Sequence, residues 1–454
     1  MEADYVESSS SVQFLASAPS VRVYASRWYI CAIFVVFCVM QSSMWGFFAP
    51  IATPLQQIYG WSNDYIVWLG NTANITFCIL VIPLGALVDG PRGMRIPLIV
   101  TAVALCVNSG LRCVPVSWVT QRGYDALQMI SMVANGLAGT LESLAPPVLS
   151  ALWFPVHERA TATAIMATAN TLGSAIGFSV AFVVPQAGTD AQISAPLHIV
   201  YWAMFAICVA TLCSMIFYFP NKPLSPPAPS CDIKRVAVFA GLAQLARHGR
   251  FWLVVFCMAV PLGVYAAWLN VLYINLQNYS FSQNDAAWIG FGSTIAGAIG
   301  GIVAGRFADY FPGRLARIIA FLYAGATMCV LLFSLICVGV LSFNLPTVYV
   351  LTITAGFLFY AAYPLFFELV IETTFPIPEA CTSGALVCAQ AIVQALYLFL
   401  CSSLPASASG WQNWLLVGAP VVAIAVLLAF KESYVRLNSD LHGALNDVDP
   451  DPDS

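Results

Sequence analysis

The stretch Gly85-Ala-Leu-Val-Asp-Gly-Pro-Arg-Gly-Met-Arg95 ends one long apolar run, makes a short basic turn, and precedes another apolar run. It returns as Gly305-Arg-Phe-Ala-Asp-Tyr-Phe-Pro-Gly-Arg314, so that Gly85 maps to Gly305, Asp89 to Asp309 and Gly93 to Gly313 at one fixed offset. The same offset pairs Trp61-Ser62 with Phe281-Ser282 and Trp68-Leu69-Gly70 with Trp288-Ile289-Gly290. One residue further out of step, Phe154-Pro155-Val156-His157-Glu158 and Thr161 match Phe375-Pro376-Ile377-Pro378-Glu379 and Thr382. Like-for-like matches at a near-constant spacing make the chain two related halves.

Composition says where those halves sit. Of 454 residues, 60% are hydrophobic and 8% are charged, against roughly 25% charged in a soluble protein. So few charges cannot cover a water-facing surface, and lipid must face much of the chain. The net charge of -4 says nothing about nucleic acid, and no basic patch is large enough to suggest it as a partner. The 14 Cys show no C-x-x-C pair and lie mostly in apolar runs, so they are expected as small buried hydrophobes rather than a disulfide framework or metal site. Residues 1–26 are polar and acidic, which predicts no secretory leader.

A membrane-crossing helix needs roughly 20 mostly apolar residues. Twelve such stretches run from 28–50 to 411–430, six before the polar segment Asn221–His248 and six after it. The expected organisation is an all-α membrane protein: an N-terminal tail (1–23), a six-helix half (24–220), a linker (221–248) with a short surface helix around 234–245, a second six-helix half (249–437) and a disordered acidic tail (438–454). With both termini in the cytosol, all of the 17 Lys and Arg except Arg112 and Arg122 fall on the cytosolic side, which fixes the predicted orientation. In that frame the two copies of each motif occupy equivalent cytosolic turns. Such a parallel repeat about an axis along the membrane normal relates the two halves of major facilitator transporters.

Gly85–Arg95 is similar to the major facilitator signature turn, Gly-x-Leu-x-Asp followed by Gly and basic residues, although Gly93 and Gly313 lie one residue further from the Asp than usual. Arg27-Trp28, Gly110-Leu-Arg-Cys-Val-Pro115, Asn135-Gly-Leu-Ala-Gly139, Glu158-Arg-Ala-Thr-Ala-Thr-Ala-Ile165, Pro261-Leu-Gly-Val264, Ala287-Trp-Ile-Gly-Phe291 and Phe366-Phe-Glu-Leu369 resemble solute carrier family 49. That family includes the feline leukaemia virus subgroup C receptor-related transporters. The resemblance runs from about Tyr24 to Leu437 and is nearest to a lysosomal member, with Glu432-Ser-Tyr at the last span fitting the same member. It implies a major facilitator fold of twelve helices and transport of a small organic solute. The nearest member implies proton-coupled pyridoxine (vitamin B6) export from lysosomes; the receptor-related members imply choline or ethanolamine. Trp45 matches the first-span Trp that lines the choline site in relatives. The choline-coordinating Gln positions do not carry over, because Thr171 follows Asn170 and Gln390 is at best adjacent.

Residues able to carry chemistry fall into two groups. Asp89 and Asp309, with Arg92, Arg95, Arg314 and Arg317 close behind, stand where helices leave the membrane and are candidate gates, since a carboxylate there can pair with an Arg or cap a helix. Glu368 and Glu372 share one face of the tenth span, and a carboxylate embedded there can take up a proton, or gate by pairing with Arg159 or Arg250. Glu142, in the inner half of the fourth span, is also embedded but lies outside the family pattern and ranks lower. The second group lines the expected solute path. Trp45 and Trp268 offer flat faces for a ring or a cation. The embedded polar residues Gln41, Ser42, Ser43, Asn71, Asn74, Asn135, Asn170, Tyr265, Asn270, Gln390 and Gln394 need partners inside the bundle, either the solute or neighbouring helices. Gly173, Ala175, Gly177, Gly297, Gly300, Gly301 and Gly305 are expected to let helices approach.

The resulting expectation is a secondary transporter, acting as a monomer on a small organic solute and protons, with no cofactor and no metal. Pyridoxine is the first substrate and choline or ethanolamine the alternative; a membrane receptor or scaffold without transport is the reading from another class. A membrane enzyme has little support from four His and no metal-ligand pattern. A glycosylation sequon stands at Asn278; the one at Asn74 lies inside a span. Tyr434-Val-Arg-Leu437 is a possible sorting signal.

Overall fold

The computed structural model describes residues 24–88, 93–221, 223, 238–276, 281–310, 313–374, 377, 379–404 and 410–432. Asp89, Arg92, the Asp309 side chain, Asn278, Tyr434–Leu437 and both tails lie outside the described residues. The elements in chain order are α1 (Ser26–Trp45), α2 (Ala52–Tyr59), α3 (Asn63–Val88), α4 (Arg95–Arg112), α5 (Gln121–Trp153), α6 (Val156–Val183), α7 (Asp190–Phe217), α8 (Val238–Ala246), α9 (Gly249–Leu276), α10 (Gln283–Tyr310), α11 (Leu315–Cys337), α12 (Leu345–Thr374), α13 (Glu379–Ser403) and α14 (Gly410–Ala429). The twelve long ones are the expected spans; α2 and α8 are short. Eleven of the twelve are apolar enough to cross a bilayer. The remaining one, α5, is 33 residues long, about 50 Å at 1.5 Å per residue. It is diluted by Gln128, Ser131, Asn135, Thr140, Glu142 and Ser150, all buried. A polar helix persists at that depth because its polar side chains face protein and not lipid.

The end of the bundle at which α1 begins is called the near end, and the opposite one the far end. Helix starts at the far end follow local chemistry. Thr120 accepts from the Gly123 N–H to start α5, and Thr189 with Gln192 forms a capping box at α7. At the near end, Gly93 and Gly313 have φ of 69° and 81°, the left-handed region that glycine enters at no steric cost. The displaced glycine of the signature turn thus takes the same left-handed conformation in both halves. Gly93 is also docked: a Cβ there would come within 3.0 Å of Asn221, whose side-chain oxygen accepts from the Arg95 N–H.

Each half has its own core. In the first, Phe34, Phe37, Phe47, Leu105, Leu141 and Tyr201 pack together; in the second, Trp268, Tyr265, Tyr323, Phe359 and Phe366 do. Large apolar side chains such as Ile79, Ile199, Phe321 and Leu428 face outward, as a lipid-facing surface requires. The halves meet along α3 with α13, α6 with α10 and α5 with α13. Halfway along the first seam, each of the Cys78 and Cys388 thiols points at the other's carbonyl oxygen, at 3.8 and 3.9 Å. α8 lies in the expected linker and packs against α13 and α3, one helix from each half.

Small residues set the close approaches inside each half. A Cβ on Gly173 would lie 2.5 Å from the Val39 carbonyl oxygen and one on Gly177 2.7 Å from that of Ser43, so α6 rests directly on the α1 backbone. Gly300 does the same for α10 against Phe357 of α12. Gly305 corrects the expectation: a Cβ there would meet open space.

Candidate functional site

Three helices of the N-terminal half bring one acid to the middle of the bundle. Because α6 sits on α1 through Gly173, Ser42 of α1, Asn170 of α6 and Glu142 of α5 converge. Ser42 Oγ donates to Glu142 Oε1 at 2.5 Å and Asn170 Nδ2 donates to the same oxygen at 2.8 Å. Glu142 is buried, at 7% exposure, whereas Asn170 is exposed although it points inward, so open space reaches the middle of the bundle. Tyr363 of α12, in the other half, lies within electrostatic reach of this carboxylate. An acid at this depth, held by two neutral donors, is able to accept a proton or a cation.

One turn earlier on α5, Gly139 leaves room for its neighbours: a Cβ there would fall 2.7 Å from Gln41 Nε2 and 2.9 Å from the Trp45 ring. Gln41 uses that space to donate to the Asn135 carbonyl oxygen at 3.2 Å. Trp45 is half-buried, its ring edge-on to Phe77 at 6.3 Å. Trp45, Gln41, Ser42, Glu142 and Asn170 therefore form one patch. Asn135 is fully buried beside it, with both side-chain amide atoms lacking a hydrogen-bond partner.

The C-terminal half departs from the expectation. Trp268 is 1% exposed, donates to Asn413 Oδ1 at 3.0 Å, and packs edge-on to Phe333 at 5.2 Å. Tyr265 is equally enclosed, stacked on Phe359 at 4.7 Å. Both belong to the core of that half, and neither offers a free face. The remaining amides are better placed. Asn270 is half-buried opposite Gly46 and donates to the Ala266 carbonyl oxygen; Gln390 and Gln394 are half-buried on α13. The Gln390 side-chain oxygen is buried without a partner.

The gating candidates separate by depth. Glu368 is exposed and Glu372 half-buried, whereas Glu142 is buried. Arg95 reaches the Ile216 carbonyl oxygen at 3.1 Å, tying α4 to the last turn of α7, where exposed carbonyls favour a cation. Arg314 is exposed at the start of α11.

A gate that sequence reasoning missed lies at the far end. Gln283, at the start of α10, donates to the Ala49 carbonyl oxygen at 2.8 Å and accepts from the Thr53 N–H at 3.0 Å and from the Thr53 hydroxyl. Phe182 of α6 stacks on Trp288 of α10 at 4.0 Å, and Trp68 of α3 meets Phe399 of α13 edge-on at 6.1 Å. These contacts join the two halves at the far end. Nearby Tyr59 stands against Trp61 and Tyr124, and burial pushes its phenol above the ordinary tyrosine range. The one available signal was the match of Trp68 to Trp288, two equivalent aromatics that each contact an aromatic of the other half.

Residues 31–397 match the family model of the Major Facilitator Superfamily. The chain is 34% identical over 439 residues to a solute carrier family 49 member 4 homolog of Xenopus laevis, covering 93% of this chain and 94% of that protein. It is 25% identical to the choline/ethanolamine transporter flvcr2a of Danio rerio, over 82% of this chain and 79% of that one. In fold it is similar to a D-xylose–proton symporter, with a TM-score of 0.64, 16% identity, and coverage of 90% of this chain and 98% of the other. A bacterial homolog of the human lysosomal transporter Spinster, inward-facing and occupied, gives a TM-score of 0.62 at 13% identity, over 90% and 97% of the two chains. The repeated turn, the paired six-helix halves and the polar patch at their centre are thus those of a membrane transporter, and the chain belongs to solute carrier family 49 of the major facilitator superfamily.

Proposed function

We propose that the protein exports a small, ring-bearing organic solute, pyridoxine, from the lysosome to the cytosol, and that protons moving through Glu142 drive it. The observation that carries this reading is the buried Glu142 with its two neutral donors, Ser42 and Asn170, beside the half-open face of Trp45. Burying an ionised carboxylate at this depth is costly, and taking up a proton removes the cost. A protonated Glu142 also accepts less strongly from Ser42 and Asn170. Uptake of a proton therefore loosens contacts among α1, α5 and α6, and biases the equilibrium between the two arrangements of an alternating-access carrier. In this reading Trp45 stacks on the ring, while Asn170, Asn135, Asn270, Gln390 and Gln394 hold its hydroxyls. Asp89, Asp309, Arg92, Arg95, Arg314, Glu368 and Glu372 act at the near end, which the distribution of Lys and Arg makes cytosolic. The choice of solute rests on the family resemblance described above, and the similarity to solute carrier family 49 member 4 homologs supports that resemblance.

A carboxylate beside an indole face also suits a quaternary or primary ammonium ion, which favours choline or ethanolamine as the second reading. Glu142 would then stay ionised as the counter-charge. Proteoliposomes separate the two. Acidifying the side that faces the lumen should speed pyridoxine movement by wild-type protein. Glu142→Gln should keep solute exchange at equal pH and lose the stimulation. A wild-type protein indifferent to the gradient sinks proton coupling, normal transport by Trp45→Ala sinks the stacking, and choline as the stronger competitor selects the second reading.

A further inference from the structure

Arg112 ends α4 at the far end and is 1% exposed. A guanidinium keeps its charge in any protein environment, so its burial requires compensation. What it has is partial. Nη2 donates to the Met44 carbonyl oxygen at 2.9 Å and approaches Met132 Sδ at 3.2 Å. The group lies 4.5 Å from the Phe48 ring centre and 5.2 Å from that of Phe47. Nε and Nη1 are buried with no hydrogen-bond partner. The titratable groups that face it are Tyr124, Tyr201, Cys113 and Cys208, among them no carboxyl group. The Tyr201 hydroxyl is likewise buried and unpartnered.

The internal repeat shows that the fold does not require a cation here. Moved by the offset of the second motif, Phe47 and Arg112 become Trp268 and Phe333, and these two are also in contact. In the C-terminal half the equivalent niche is neutral and satisfied, since Trp268 donates to Asn413. Only the N-terminal copy carries a charge with donors left over. Asn108 and Gln128 stand close by, but they spend their amide N–H groups on Met44 Sδ and the Leu111 carbonyl oxygen, and their own oxygens have no partner. The missing component is therefore an acceptor that also carries negative charge.

We propose that Arg112 and Tyr201 hold a small monovalent inorganic anion of chloride size, in a closed site within the N-terminal half and apart from the Glu142 patch. The anion neutralises the guanidinium, takes the free Nε and Nη1 donors together with the Tyr201 hydroxyl, and fixes the junction of α1, α4 and α7. Thermal unfolding of the purified full chain tests this, with chloride exchanged for gluconate at constant ionic strength. The midpoint of wild-type protein should rise with chloride and saturate, and bromide should substitute and give a density peak beside Arg112. Tyr201→Phe should need about tenfold or more chloride for the same rise, the loss of one hydrogen bond to a charged group. Arg112→Gln should unfold at one temperature in both salts. Equal midpoints for wild-type protein in chloride and gluconate overturn the proposal, as does an unchanged chloride effect in Arg112→Gln. A bromide-free site holding only water, or the Asn108 or Gln128 oxygen turned onto the guanidinium, does so as well. Because the readout is unfolding and density, it stands whatever solute the transporter carries.

Discussion

Trp45 and Trp268 are the same residue type in equivalent spans of the two halves, yet they do different work. Trp45 keeps a half-exposed face next to Glu142, while Trp268 is enclosed and bonded to Asn413. Replacing Trp268 with Phe should cost about 1–3 kcal/mol of stability, because the Asn413 oxygen loses its donor in the core. It should leave solute affinity unchanged, which thermal unfolding and a binding titration on the same sample would check. Trp45→Phe should do the reverse. The internal repeat agrees with this distinction once the structure places Phe47 in the core. At the offset of the second motif Trp268 aligns with Phe47, a core residue, and Trp45 with Ala266. The acids were less legible. The four-residue spacing of Glu368 and Glu372 puts them on one face, but an α12 that is apolar nearly all round gives no amphipathic stripe to say which face meets protein. Glu142 was visible as an embedded acid. Its importance came from Ser42 and Asn170, brought from residues 100 and 28 positions away.

At the scale of elements, the twelve spans and the short linker helix were readable because each needs only length and composition. The least apolar span, α5, was still recovered from its flanking apolar residues, and its polar content marks the helix with the most buried polar contacts. Glycine spacing was a weaker guide. Gly173 and Gly305 look alike in sequence, but one touches a neighbouring backbone and the other faces open space. Gly173→Ala should therefore push α6 from α1 and lower stability by about 1–3 kcal/mol. Gly305→Ala should raise it by roughly 0.5–1 kcal/mol through the lost flexibility of a helical glycine. Comparing the unfolding midpoints of the two variants decides this, and a Gly173→Ala protein as stable as the wild type would remove the close-packing account of the Ser42–Glu142–Asn170 patch. The turn that identified the fold has a plain backbone explanation as well. The shifted Gly93 and Gly313 both take positive φ, a conformation that favours glycine.

For the whole molecule, the halves touch in two distinct ways. At the far end, Gln283 bonds to Ala49 and Thr53, and aromatic pairs also bridge the halves. Midway down, Cys78 and Cys388 face each other across the α3–α13 seam. A rocking carrier behaves as a pair of levers, and its fulcrum is the level at which the distance between halves stays constant through the stroke. We expect the reciprocal cysteine contact, at half depth, to stand at that level, and the Gln283 clamp to sit at the end of the arm. Oxidising Cys78 and Cys388 to a disulfide should then leave transport running, because a pin through a fulcrum does not stop a lever. Joining cysteines introduced at Thr53 and Gln283 should halt transport until a reductant cuts the bridge. Arrest by the central bridge would instead place the fulcrum elsewhere, and with it the depth at which the solute changes sides.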